Sequence, residues 1–210
     1  AQILCLAPAF WNGNDPILKE RLFGLTNGQG NHGEDVKELY YHIDSSPTHS
    51  YCKFLYKYPI AEFPYDEIIQ GNKRSKHETE FEILDTKAFK NSKYFDIYIE
   101  YAKAGIDDIL MKITVHNRSK RKADIHIIPH LWFRNFWKHN PRYKKPSLKI
   151  FEKNCIRSQS IRNGKYHFYF EEGEALFCEN ETNDEKIYGV ANQSKFVKDG
   201  INDHIVAKKK

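Results

Sequence analysis

The sequence predicts an all-β fold, mainly an antiparallel β-sandwich with one or two short helices. Three observations predict it: apolar residues recur with a period of two, helix signals are scarce, and turn residues punctuate the alternating runs. With 210 residues, 40% hydrophobic and 29% charged, the chain is long enough to bury a core, and it reads as a single β-sandwich domain over residues 1–210. That composition excludes disordered, collagen-like and disulfide-scaffold classes. The apolar stretches at 1–11 and 125–136 are too short or too interrupted for a membrane span of about 20 residues. A complete TIM barrel, at about 250 residues, does not fit either.

Taken in order, the first strand-like runs are Val36 to Asp44 and Tyr51 to Tyr58. Pro64 to Gln70 follows as about two helical turns, with proline early, Asp66 and Glu67 in the first turn and Gly71 at the end. Phe81 to Asp85 alternates and reads as a strand. In the run Tyr94 to Tyr101, the residues Phe95, Ile97, Ile99 and Tyr101 share one face while Asp96 and Glu100 take the other. Ile109, Met111, Ile113 and Val115 repeat the pattern, and the turn residues at 104–108 make the pair an antiparallel hairpin. After the polar turn at 117–120, a third run sets Ala123, Ile125, Ile127, Leu131 and Phe133 opposite Asp124, His126, His130 and Arg134, giving a three-strand meander. Lys165 to Glu171 and Ala175 to Glu179 close the strand inventory, with Asn163-Gly164 and Glu172-Gly173 as turns. The Gly-rich stretch Gly24 to Gly33 and the basic stretch Asn135 to Pro146 are long connections of the kind that carry function.

Charge and cysteines set further bounds. The net charge is +5, but its clusters at 73–76, 118–122 and 142–145 are scattered, so they read as solvated surface and no nucleic-acid partner is expected. Cys5, Cys52, Cys155 and Cys178 lack zinc-ribbon or redox spacing, so free thiols in a cytoplasmic protein are expected. Asn117, Asn180 and Asn192 head Asn-x-Ser/Thr triplets that matter only in a secreted chain. An apolar start without an initiator Met or a basic n-region is unlike a signal peptide and looks cut from something longer.

Chemistry-bearing motifs are few. Gly28, Gly30 and Gly33 match the dinucleotide spacing formally, yet the strand before and the helix after that a Rossmann site needs are missing. The adjacent acids Glu34/Asp35, Asp107/Asp108 and Glu171/Glu172 do not make an acid/base pair across a cleft. His126 and His130 stand about 13 Å apart along a strand, too far for one ion. Catalytic residues, cofactor and metal are therefore expected to be none. The contact candidates are Arg21, Asn31, His32, Glu34 and Asp35 in the Gly-rich region, with Trp132 and Arg134 in the aromatic stretch, as substrate-side or interdomain contacts.

Longer strings carry a resemblance. Trp11-Asn12-Gly13-Asn14-Asp15-Pro16 running on to Asn27, then Gly30 to Glu38, Asp44 to Tyr51, Leu55 to Pro59, Tyr94 to Asp96, Glu100 to Ala104, Leu131 to Asn135 and Val197 to Asp203 resemble the N-terminal region of prokaryotic glucosidase-like proteins related to glycoside hydrolase family 63. These are described as mannosylglycerate hydrolase-like glycoside hydrolases. The resemblance implies a supersandwich-like N-terminal domain ahead of an (α/α)6 barrel that holds the acid and base of an inverting α-glycosidase. It further implies a partner in that barrel, in cis, or self-association through the docking face, with an oligosaccharide as ligand and no membrane partner. The catalytic carboxylates have no matching positions here. The alternative reading is a stand-alone carbohydrate- or protein-binding module, with a basic nucleic-acid domain as the third.

Overall fold

The computed structural model describes residues 3–20, 38–138, 140 and 142–208. Its strands are β1 (Leu4–Trp11), β2 (Leu39–Ser45), β3 (Tyr51–Pro59), β4 (Tyr94–Lys103), β5 (Ile109–Asn117), β6 (His126–Phe133), β7 (Ser147–Glu152), β8 (Cys155–Ser160) and β9 (Gly164–Tyr169). Three short helices accompany them: α1 (Tyr65–Gly71), α2 (Asp184–Tyr188) and α3 (Gly200–Ile205). The fold is all-β and antiparallel, as the periodicity predicts. Two compact units divide the chain, one of Ala9–Ile127 and one of Ala1–Pro8 with Ile128–Lys210. Among the described residues, no helix is long and apolar enough to cross a membrane.

The Ala9–Ile127 unit is built on a four-stranded sheet ordered β2-β3-β4-β5. Registers such as Tyr56↔Ile97↔Val115 and Phe54↔Ile99↔Ile113 place the alternating apolar residues in rows on one face. Phe10, Tyr56, Tyr58, Phe95, Ile97 and Ile99 form the core there, with Ala123 and Ile125 packed against it. The hairpin of β4 and β5 forms as predicted, closed by the amides of Ala104 and Gly105 donating to the Asp108 carbonyl. A second cluster gathers Phe63 and Ile68 of the α1 region with Phe81 and Ile83.

Three expectations are corrected. The run after β5 does not extend the meander: β6 pairs with β1. Asn117 explains the departure, since its side chain accepts from the Ser119 amide and donates to the Arg121 carbonyl, turning the chain off the sheet edge. Ile127 is accordingly exposed instead of facing a core. Phe81 to Asp85 is not a strand but a 3-10 turn at Ile83–Asp85 with a capping box between Glu82 and Asp85. Phe81 and Ile83, two apart and both buried, imitate strand alternation. Ala175 to Glu179 lacks ladder pairing, although the Glu179 amide donates to the Phe196 carbonyl.

In the other unit, β7-β8-β9 forms a three-stranded antiparallel sheet. The basic connection at 135–146 is tied to Glu179–Asp184. Asn135 donates to the Asn180 carbonyl at 2.6 Å, Trp137 Nε1 to Glu181 at 2.9 Å, and Lys145 pairs with Glu179 at 2.6 Å.

Candidate functional site

The turn after β1 begins the site. Gly13 has φ +80, a conformation open to glycine, so the chain reverses over Asn12–Asp15. The Asn12 carbonyl oxygen of the side chain accepts the amides of Asn14 and Asp15, both at 2.9 Å, and its amide nitrogen donates to the carbonyls of Pro59 and Ala61. Those bonds fasten the turn to the end of β3. The buried Asp15 carboxylate then accepts the Tyr58 hydroxyl at 2.5 Å and the Phe63 amide at 2.6 Å.

Lys19 is joined to β1 by a two-bond backbone bridge with Phe10. Its ammonium meets Glu38 Oε1 at 2.6 Å, with both side chains almost wholly buried at 3% and 2% exposure. The same ammonium lies 3.4 Å from the Phe63 ring centroid and 4.4 Å from that of Tyr65, a cation held over two aromatic faces. Glu38 Oε2 accepts the Tyr56 hydroxyl at 2.8 Å. The Tyr65 hydroxyl is buried without a hydrogen-bond partner among the described residues.

Burial governs the electrostatics. It pushes the Lys19 ammonium down, against the pull of Glu38, and pushes the Glu38 carboxyl up, against Lys19 and Tyr56. Burial, then the neighbouring carboxylates, carries the Tyr56, Tyr58 and Tyr65 hydroxyls far above the ordinary tyrosine range, so all three stay neutral. Among the described residues, Asp15, Lys19 and Glu38 take their partners from within the cluster.

Lys19 and Glu38 stand on either side of residues 21–37, and their ion pair holds these two residues together. Arg21, Asn31, His32, Glu34 and Asp35 lie outside the described residues. Trp132 is half-buried on β6, and Arg134, exposed just beyond it, holds its guanidinium 5.2 Å from the Phe136 ring. His126 stacks on Trp11 at 5.0 Å, and burial lowers the His130 imidazole. Among the described residues, no group of three or more His, Cys, Asp or Glu is arranged to hold a metal ion.

The chain is 39% identical over 243 aligned residues to the uncharacterized protein YMR196W of Saccharomyces cerevisiae, an alignment covering 98% of this chain. The chain spans 22% of the length of that relative. No family model matches the chain, and no solved structure matches it.

Sequence reasoning missed the ion pair. Asn12 to Asp15 is legible as a turn from its Asn/Gly/Asp content, but a lysine and a glutamate nineteen positions apart carry no sign that they will be buried together.

Proposed function

We propose that this chain is a non-catalytic N-terminal β-domain of a glucosidase-like glycoside hydrolase related to family 63. In this reading it packs on an (α/α)6 catalytic domain and helps shape its substrate approach. The observation that carries it is the buried Lys19–Glu38 ion pair, which joins two points of the chain with eighteen residues between them and so holds the described residues on either side of that stretch in one place. Two further observations support it. YMR196W has about four-fifths of its length beyond the matched region, which leaves room for a catalytic domain. Exposed apolar side chains, including Tyr41 and Ile43 on β2 and Ile187, Tyr188 and Val190 around the end of α2, suit surfaces that a partner covers. Four free thiols suit a cytoplasmic setting.

The test uses aryl α-glucosides. The 210-residue chain alone gives no turnover, full-length YMR196W gives measurable turnover, and YMR196W lacking its matched region regains activity when this chain is added. An inactive full-length YMR196W across an α-glucoside panel overturns the proposal, as does tight, stoichiometric glucan binding by the chain alone.

A further inference from the structure

The outward face of the β7-β8-β9 sheet carries an unbalanced row of charge. Cross-strand register places Lys149 opposite Arg157 and Arg157 opposite His167. Gln159 and Lys165 form the next row on that face, and Tyr169 the row on the other side. With strands about 4.8 Å apart, the three basic side chains span about 10 Å. Among the described residues, none of Lys149, Arg157, Lys165 and His167 has a carboxylate within ion-pair distance.

The other sheet shows what this chain does when a row is only structural. There, Lys53, Glu100 and Lys112 alternate in sign across three strands, and Lys57 and Arg118 both pair with Asp96. Like charges directly opposite one another destabilise a sheet. Lys149 and Arg157, side by side without a carboxylate between them, are open to an anion that arrives from outside.

The surrounding rings decide which anion. Phe151, two residues beyond Lys149, lies on this face, where its ring is 4.9 Å from the Arg157 guanidinium and 5.1 Å from the His167 ring. Phe151 is thus occupied in holding the row. Tyr169, 6.3 Å from the His167 ring and 67% exposed, is the aromatic left open beside it. Glu152, opposite Cys155, stands in the same row as Tyr169, next to the basic row. Single-stranded nucleic acid calls for successive open rings on which successive bases stack. Phe151 and Tyr169 flank the His167 ring on one short sheet face, an area that fits a compact ligand.

We propose that this face binds a phosphorylated sugar, with the phosphate on Lys149, Arg157 and His167, the sugar ring against Tyr169, and Glu152 accepting its hydroxyls. The choice of a sugar as the ring-bearing part rests on the glycoside hydrolase reading above, while the anion pocket rests on the sheet register alone.

The experiment is a titration of the isotope-labelled 210-residue chain, followed by amide NMR shifts, with glucose 6-phosphate, glucose, inorganic phosphate and oligouridylate as separate probes. Glucose 6-phosphate shifts amides of β7, β8 and β9 and binds at least fivefold more tightly than glucose or phosphate. Lys149→Gln and Arg157→Gln each weaken it about tenfold, and Tyr169→Ala abolishes its advantage over phosphate while phosphate binding persists. The spectra themselves report that each variant is folded. Phosphate binding as tightly as glucose 6-phosphate, shifts confined to other strands, or oligouridylate binding more tightly on this face would each overturn the proposal. Hydrolysis plays no part in this readout, so it fails separately from the enzyme test.

Discussion

Removing one partner of the Lys19–Glu38 pair should damage the protein far more than removing both. Each side chain is at most 3% exposed, so Glu38→Ala strands an ammonium in a nearly dry site over the rings of Phe63 and Tyr65. Breaking a buried pair from one side costs about 3–5 kcal/mol, because the remaining charge keeps its desolvation penalty and loses its compensation. The Tyr56 hydroxyl loses its acceptor too, adding about 1 kcal/mol. With a urea dependence of about 2 kcal/mol per molar, the unfolding midpoint should fall by about 2 M. The double replacement Lys19→Met with Glu38→Leu restores apolar volume without a charge and should recover most of that loss, to within about 1–2 kcal/mol of the parent. Urea unfolding of the parent, both single variants and the double variant makes the thermodynamic cycle. A single-variant loss under about 1 kcal/mol, or a double variant as unstable as the singles combined, would refute the reasoning.

Asp96 offers a pH test. Burial raises its carboxyl, but hydrogen bonds from Lys57 and Arg118 outweigh that and hold it below the usual aspartate value. Its contribution is therefore complete above the ordinary aspartate pKa of about 3.9 and is lost as pH falls through the lower folded value; Asp96→Asn should flatten that acid limb of the stability curve, measured by urea midpoints from pH 5 to 2. Gly71→Ala gains about 1 kcal/mol of helix propensity at the end of α1 but brings a Cβ to 2.3 Å from the Phe81 ring. Overpacking of about 1–3 kcal/mol should dominate, and a calorimetric melting point that rises would contradict it. Trp137→Phe keeps the ring but removes the Nε1 donor to Glu181, so thermal unfolding should show a loss of about 1.5 kcal/mol.

The hairpin of β4 and β5 was legible because one face is buried and the other carries charge, which writes a period of two into the sequence. β1 was not, since Leu4–Trp11 is apolar at every position and shows no alternation. β7 and β8 escaped notice for the opposite reason: their mixed polar and apolar residues, such as Lys149, Phe151 and Arg157, share an outward face. The Gly-rich segment could be singled out by composition, but not the device at its ends. Burial of Lys19 and Glu38 depends on Tyr56 of β3 and on Phe63 and Tyr65 beside α1, two later parts of the chain, and no local pattern encodes that. Two of the basic clusters did prove locally engaged, Arg118 by Asp96 and Lys145 by Glu179, whereas the unbalanced row exists only once three strands are in register.

The pairing of β1 with β6 has a consequence for synthesis. Ile3 meets Arg134 at one end of the pair, and Trp11 meets His126 at the other, so β1 waits for a strand made more than a hundred residues later. At about 5–20 residues per second, that wait is about 6–25 seconds. The sheet of β2 to β5 can form in the meantime, while β1 is held only by the bridge of Phe10 to Lys19. During this interval the nascent chain carries a uniformly apolar strand without its ladder partner, a segment of the kind a chaperone holds until β6 arrives.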